Sequence, residues 1–269
     1  MTRQPLHRAA SRALPLMPLR AFSATAFALL MAAGDGSAVA QTAATSPVGS
    51  DAKAIEALTA MGNYLRTLKA FAVHVETTKD EVLLDGQKIQ FGGTLDYTVQ
   101  PPHRLRAELR SDRQQRVFVY DGTTITQFAP RVGYYASIAA PGTIGEALVV
   151  ADQKYGVQIP LADLFFWGTD KSGLGDIKSA AYLGPATIGG LACDHYAFRQ
   201  DDVDWQLWLR QGKQPLPCKM VITTTQEPSQ PQYSAVLKWN LAPKIDGTTF
   251  RFVPPKGASE IAFAPATDK

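Results

Sequence analysis

The sequence is most informative at first for what it has little of. It contains two cysteines, Cys193 and Cys218, and only four histidines. There is no paired C-x-x-C and no H-E-x-x-H, so neither of these zinc-site signatures is present. A G-x-S-x-G elbow and a P-loop are missing too, which excludes those routes to acyl or phosphoryl transfer. Long apolar runs are absent. The longest, Ala21 to Ala33, is too short to cross about 30 Å of hydrocarbon as a helix. Charge of one sign is not in excess either. Residues 1–40 hold four of the 27 Lys and Arg and one of the 24 Asp and Glu, so the remainder carries 23 of each sign. That balance gives no support to nucleic-acid binding.

What is present begins with a leader. Arg3, Arg8, Arg12 and Arg20 precede the apolar run, and Ala38-Val39-Ala40 fits the A-x-A cleavage pattern. Residues 1–40 therefore read as a secretory signal peptide cleaved after Ala40, so the product is expected to be exported to an oxidising compartment. In that oxidising compartment Cys193 and Cys218 favour a disulfide over two buried thiols. Both open predicted strands. If one strand lies between them their backbones start roughly 9.6 Å apart, so the middle strand must end short of the bridge.

Residues 41–50 are small and polar and read as a lead-in to one domain spanning 51–263. Ser50 or Asp51 caps a helix with Ile55, Leu58, Met61, Leu65 and Leu68 on one face. From Phe71 the period changes to two. In 88–99, Ile89, Phe91, Leu95, Tyr97 and Val99 alternate with polar residues, and in 104–110 Leu105, Ala107 and Leu109 do the same. This is half-buried antiparallel sheet. Strands at 115–120 and 124–128 flank the Asp121-Gly122 hairpin signal, and 134–138 completes a first meander. A second occupies 180–188, 193–200, 203–211, 217–225, 234–241 and 248–253. There Val203, Trp205, Leu207 and Leu209 share one parity, as do Leu237, Trp239 and Leu241, while Trp208 falls on the polar one.

Between the meanders lies a helical stretch, 142–167. Thr143 and Glu146 form a capping box, Ile144, Leu148, Ala151 and Tyr155 recur at helical spacing, and Gly156 is the stop. Pro160 is positioned to open a second short helix carrying Leu161, Leu164 and Phe165. The loop 168–175 that follows is a hinge candidate. A sheet of about a dozen strands curls, so its apolar parity lines a concave face, and these helices supply the surface to cover it. The residues expected to line that cavity are Leu95, Tyr97, Leu105 and Leu109 from the first meander, with Phe118. Trp205, Leu207 and Trp239 come from the second. Ile144, Leu148, Tyr155, Leu161, Leu164 and Phe165 form the covering segment.

The strings DGTTITQF (121–128), GYYASIAAPGTIGEAL (133–148), YGVQIPLADLFF (155–166), DHYAFR (194–199), DVDWQLWL (202–209) and PLPCKMVIT (215–223) resemble a family of predicted periplasmic proteins. That family is grouped with the lipoprotein carriers of the Lol system and the mycobacterial lipoprotein LppX. The resemblance implies a mainly β fold with helices: a curved antiparallel sheet forming an incomplete barrel of about eleven strands, hollow for acyl chains beneath a helical lid. In the lipoprotein carriers a cavity arginine helps hold the lid closed. Arg104 and Arg106 lie on the polar parity and do not suit that role.

Chemistry-bearing residues are few. His74 and Glu76 share a strand face, Asp194 and His195 are adjacent, and Asp201, Asp202 and Asp204 cluster in a turn without the glycine and spacing of an EF-hand. No catalytic, metal or cofactor site is expected. The leading expectation is a non-catalytic periplasmic carrier of a hydrophobic, acyl-bearing ligand. The alternatives are an envelope interaction protein with a filled sheet, Trp208 marking a contact, and a lipid-directed hydrolase using His195 with the 201–204 turn.

Overall fold

The computed structural model describes residue 49 and residues 51–264, so the predicted signal peptide and most of the predicted lead-in lie outside the described residues. The chain runs α1 (Ala52–Thr67), β1 (Phe71–Val82), β2 (Lys88–Gln100), β3 (Arg104–Ser111), β4 (Gln115–Tyr120), β5 (Thr124–Ala129), β6 (Tyr134–Ala139) and α2 (Ile144–Tyr155). Two 3-10 turns follow, Ala162–Phe165 and Leu174–Asp176. The second half is β7 (Ser179–Ile188), β8 (Leu191–Arg199), β9 (Val203–Arg210), β10 (Pro217–Thr224), β11 (Gln232–Asn240) and β12 (Ser259–Glu260).

All twelve strands form one sheet in the order β12-β6-β5-β4-β3-β2-β1-β11-β10-β9-β8-β7. The two meanders join through the antiparallel β1–β11 pair, and β12 is parallel to β6. The end strands β12 and β7 do not pair with each other, so the sheet is an unclosed barrel. Register stacks the apolar parity into lateral rows. Val75 lies between Leu95 and Leu237, and Leu109 continues that row on β3. A slip of one residue would turn every such side chain outward, which is why the alternation specifies the register so strongly.

The opposite face is charged. Arg106 bonds Glu108, Arg110 bonds both Glu108 and Asp96, His74 donates to Asp96 at 2.6 Å, and Lys238 reaches Glu76 at 2.7 Å. Arg106 is thus engaged on the wet side. At the β7 edge, the start of α1 supplies partners: Asp51 N–H donates to the Ala180 carbonyl, and the Asp51 carboxylate accepts from Tyr182 N–H. This protects part of an edge that would otherwise be free to pair.

Asp51 also caps α1, accepting from Lys53 N–H, and buries Ala54, Leu58, Met61, Gly62 and Leu65 against the sheet. Segment 248–253 is not a strand. Its alternation has another cause: Phe252 packs on Phe128 and Tyr135 on the outer face, with Phe250 buried beside it, and the tail then adds β12 to β6.

Candidate functional site

The inner face and its cover are built from the residues that alternate in sequence. Leu95, Leu105, Phe118 and Leu207 are buried, as are Tyr97 and Trp205, while Leu109 and Trp239 are half-buried. From segment 142–167, Ile144, Leu148, Leu161, Leu164 and Phe165 are buried, and Tyr155 is half-buried against Phe263. All belong to one contiguous cluster. Phe165 meets Tyr97 edge-on at 5.9 Å and Trp167 lies 5.8 Å from Trp205. The concavity is therefore occupied by the chain's own side chains. Two clefts among the described residues lie elsewhere. One, of about 420 Å³, separates the outer face of β4–β6 from Phe250–Pro254, and one of about 290 Å³ adjoins Gln100–Arg104.

The covering segment folds for the reasons its sequence suggests, with one correction. Thr143 and Glu146 close a reciprocal capping box, and Gly156 ends α2 in the left-handed region. Pro160 does not start a helix. Leu161 takes the left-handed conformation at φ 60°, and a single 3-10 turn follows from Ala162. This places the Pro160 carbonyl where the Tyr97 hydroxyl donates to it.

Few polar tethers hold the segment. At its start, Ile144 N–H donates to the Pro102 carbonyl at 2.7 Å, while Tyr120 and His103 donate to the Gly142 carbonyl at 2.6 and 2.8 Å. At its end, the Arg66 guanidinium of α1 points at the Phe165 and Leu164 carbonyls at 3.4 and 3.5 Å. Burial holds the Arg66 pKa below its ordinary value. Sequence reading missed Arg66, whose only local signal is its place beside the apolar stripe of α1. Gly168 is more than a hinge candidate: it meets Gly62 of α1 backbone to backbone, so a Cβ on Gly62 would fall 2.5 Å from Gly168 N.

The chemical groups do not converge. His195 pairs in register with Trp208 and bonds Gln206 at 3.0 Å. The carboxylate turn lies four residues further along, about 13 Å away, where Asp204 pairs with Arg199 and Asp201 with Lys178. His74 is engaged with Asp96 and His103 with Gly142. No group of three potential metal ligands occurs among the described residues.

Cys193 and Cys218 are bonded, with Cα atoms 7.1 Å apart. The bridge passes from β8 to β10 at the end of β9, where Cys193 faces Arg210 and a bulge falls at Cys218. This is the geometry the two-strand spacing demands. It also corrects the reading of Trp208. That ring packs with the disulfide and Val221, stacks on His195 at 4.0 Å, and lies beneath the Lys219 ammonium. It is the centre of a small outer core and is 9 % exposed.

Residues 54–264 match the model of a family described as Predicted periplasmic protein (DUF2092). No curated protein matches the sequence. Among solved structures the chain is similar to the lipoprotein LppX of Mycobacterium tuberculosis, with 15 % identity, 73 % of this chain and 100 % of that one covered, and a TM-score of 0.46. It is similar to LprF of Mycobacterium bovis, at 14 % identity, 78 % and 100 % coverage and a TM-score of 0.42. A putative outer membrane lipoprotein-sorting protein domain from Vibrio parahaemolyticus is similar at 8 % identity, 74 % and 96 % coverage and a TM-score of 0.35.

Proposed function

Because the chain belongs to the Predicted periplasmic protein (DUF2092) family, we propose that it works in the periplasm as a non-catalytic carrier of a hydrophobic, acyl-bearing ligand. Segment 142–167 occupies the carrier's groove in the empty state. The observation that carries this reading is the construction of the cover. It is a separately capped unit lying on an apolar concave face, and it is tied to the rest by a handful of hydrogen bonds, at its two ends and at Pro160. Burying Ile144, Leu148, Leu164 and Phe165 is worth about 1.5–3 kcal/mol each. An acyl chain of about a dozen carbons offers on the order of 10 kcal/mol before ordering costs. The two are close enough for a ligand to exchange with the cover. The same groove would serve any chain-like apolar ligand, so shape selects length and apolarity before it selects identity.

Continuous packing between cover and sheet favours a second reading, a permanent plug in an envelope interaction protein. Leu148→Asp separates them. Leu148 is 5 % exposed. For a carrier, the variant keeps the sheet's circular dichroism and binds N-phenyl-1-naphthylamine, a neutral apolar fluorophore, more tightly than wild type. For a plug, the variant unfolds and neither protein binds the probe saturably. Lipid extracted from protein purified from the periplasm, identified by native mass spectrometry, is the direct complement.

A further inference from the structure

Two buried hydrogen-bond donors on the inner face have no partner among the described residues: the Trp205 indole Nε1–H and the Tyr233 hydroxyl. An orphan donor of this kind costs about 1–3 kcal/mol, and buried Tyr and Trp ordinarily find an acceptor. The two are not scattered. Trp205 pairs with Ile222 and Ile222 with Tyr233, so they stand on one lateral row of β9, β10 and β11 with a single apolar residue between them. Phe198 extends the row on β8, stacked on Trp205 at 4.1 Å. Both donors belong to the sheet, so they would stay in place if segment 142–167 left it.

The cover brings a third group to this end of the groove. Asp163 is the second residue of the 3-10 turn that begins at Ala162, and its carbonyl accepts from the N–H of Trp167, the ring against Trp205. Its carboxylate has no cationic partner among the described residues. It keeps access to water, yet enough protein surrounds it that desolvation holds its pKa above the ordinary value, and its charge is felt at the Tyr97 hydroxyl. Burial alone pushes the Tyr233 hydroxyl upward, so neither a cation nor Asp163 acts on it. Lys79, its register partner on β1, is exposed.

Resting on the carrier reading above, we propose that this row is the polar pole of the groove: it takes an uncharged acyl ester, whose carbonyl oxygens accept from Tyr233 and Trp205, and it disfavours a free fatty-acid carboxylate. The apolar remainder of the groove takes the chain, while the pole supplies the donors that a hydrocarbon leaves unsatisfied. An anionic head would meet those same donors, but it would lose its hydration there with no charged group acting at Tyr233 to compensate.

The test is displacement of N-phenyl-1-naphthylamine by glyceryl monooleate and by oleate at pH 7.5, which share one chain and differ in the head. The expected result is monooleate binding on the order of tenfold more tightly than oleate. Tyr233→Phe and Trp205→Phe should each cut the affinity for monooleate, relative to that for the probe, by about five- to tenfold, the value of one hydrogen bond. Tyr233→Phe removes one oxygen, so it decides the matter if Trp205→Phe fails to fold. Oleate binding as tightly as monooleate, or ratios unmoved by Tyr233→Phe, would overturn the polar pole and leave the carrier reading standing on the probe. Absence of saturable probe binding would remove the carrier reading and the pole with it.

Discussion

A methyl group added at Gly62 tests how the cover is held. The built Cβ meets Gly168 N at 2.5 Å, Gly168 Cα at 2.8 Å and the Trp167 carbonyl carbon at 3.1 Å, all backbone atoms that no side-chain rotation can move. Relief requires α1 and residues 167–168 to part by roughly 1 Å, and overpacking of this kind costs about 1–3 kcal/mol. Alanine inside a helix returns about 1 kcal/mol relative to glycine. In the closed state the two nearly offset or the clash wins; in an open state only the helix gain remains. Gly62→Ala should therefore lower Tm by a few degrees, at about 2–4 °C per kcal/mol for a domain this size. It should also shift the closed-to-open balance by the 1–3 kcal/mol of the clash, or about 5- to 150-fold. A titration with N-phenyl-1-naphthylamine reads the second effect as tighter apparent binding, because the competent fraction rises. Thermal melts followed by circular dichroism read the first. A raised Tm with unchanged probe affinity would mean that the glycine contact does not hold the cover. A lowered Tm with no gain in affinity would place the contact in a permanent core.

Reducing the Cys193–Cys218 bridge frees a 25-residue separation, worth about 3–4 kcal/mol of loop entropy. Dithiothreitol or Cys218→Ser should lower Tm and red-shift Trp208 emission. Burial, opposed by the Gln206 bond and aided by Lys219, holds the His195 pKa below its ordinary 6.5. Its stability contribution is therefore complete above pH 6.5 and is lost as pH falls through the lowered folded value, so His195→Gln should flatten Tm against pH in that window. Asp163 has the opposite sign: a raised folded pKa means stability that is full below the ordinary 3.8 and lost as pH rises. Asp163→Asn should accordingly melt higher than wild type at neutral pH and converge with it below pH 3.8.

Local pattern carried most of this architecture. Alternation placed both meanders and their wet face, the Thr143–Glu146 box placed α2, and the two-strand spacing between cysteines foretold a bridge at a strand end. Segment 248–253 misled because alternation records two environments, whichever elements supply them; an extended tail lying on the outer face produces it as well as a ladder does. Trp208 misled for a related reason. The polar parity is wet only where nothing sits on it, and a disulfide that crosses β9 creates a second dry patch there. The polar tethers were beyond local reading altogether. Gly62 reads in sequence as a weak point in a helix, and its purpose appears only when Gly168 arrives from the far side of the first meander. Arg66 likewise gains meaning from carbonyls that the left-handed Leu161 turn presents. Apolar periodicity reports which faces are buried, because burial is summed over many residues. On the carrier reading, the few contacts that would set how readily the cover leaves are pairwise and distant, and their small free energies would decide between carrier and plug.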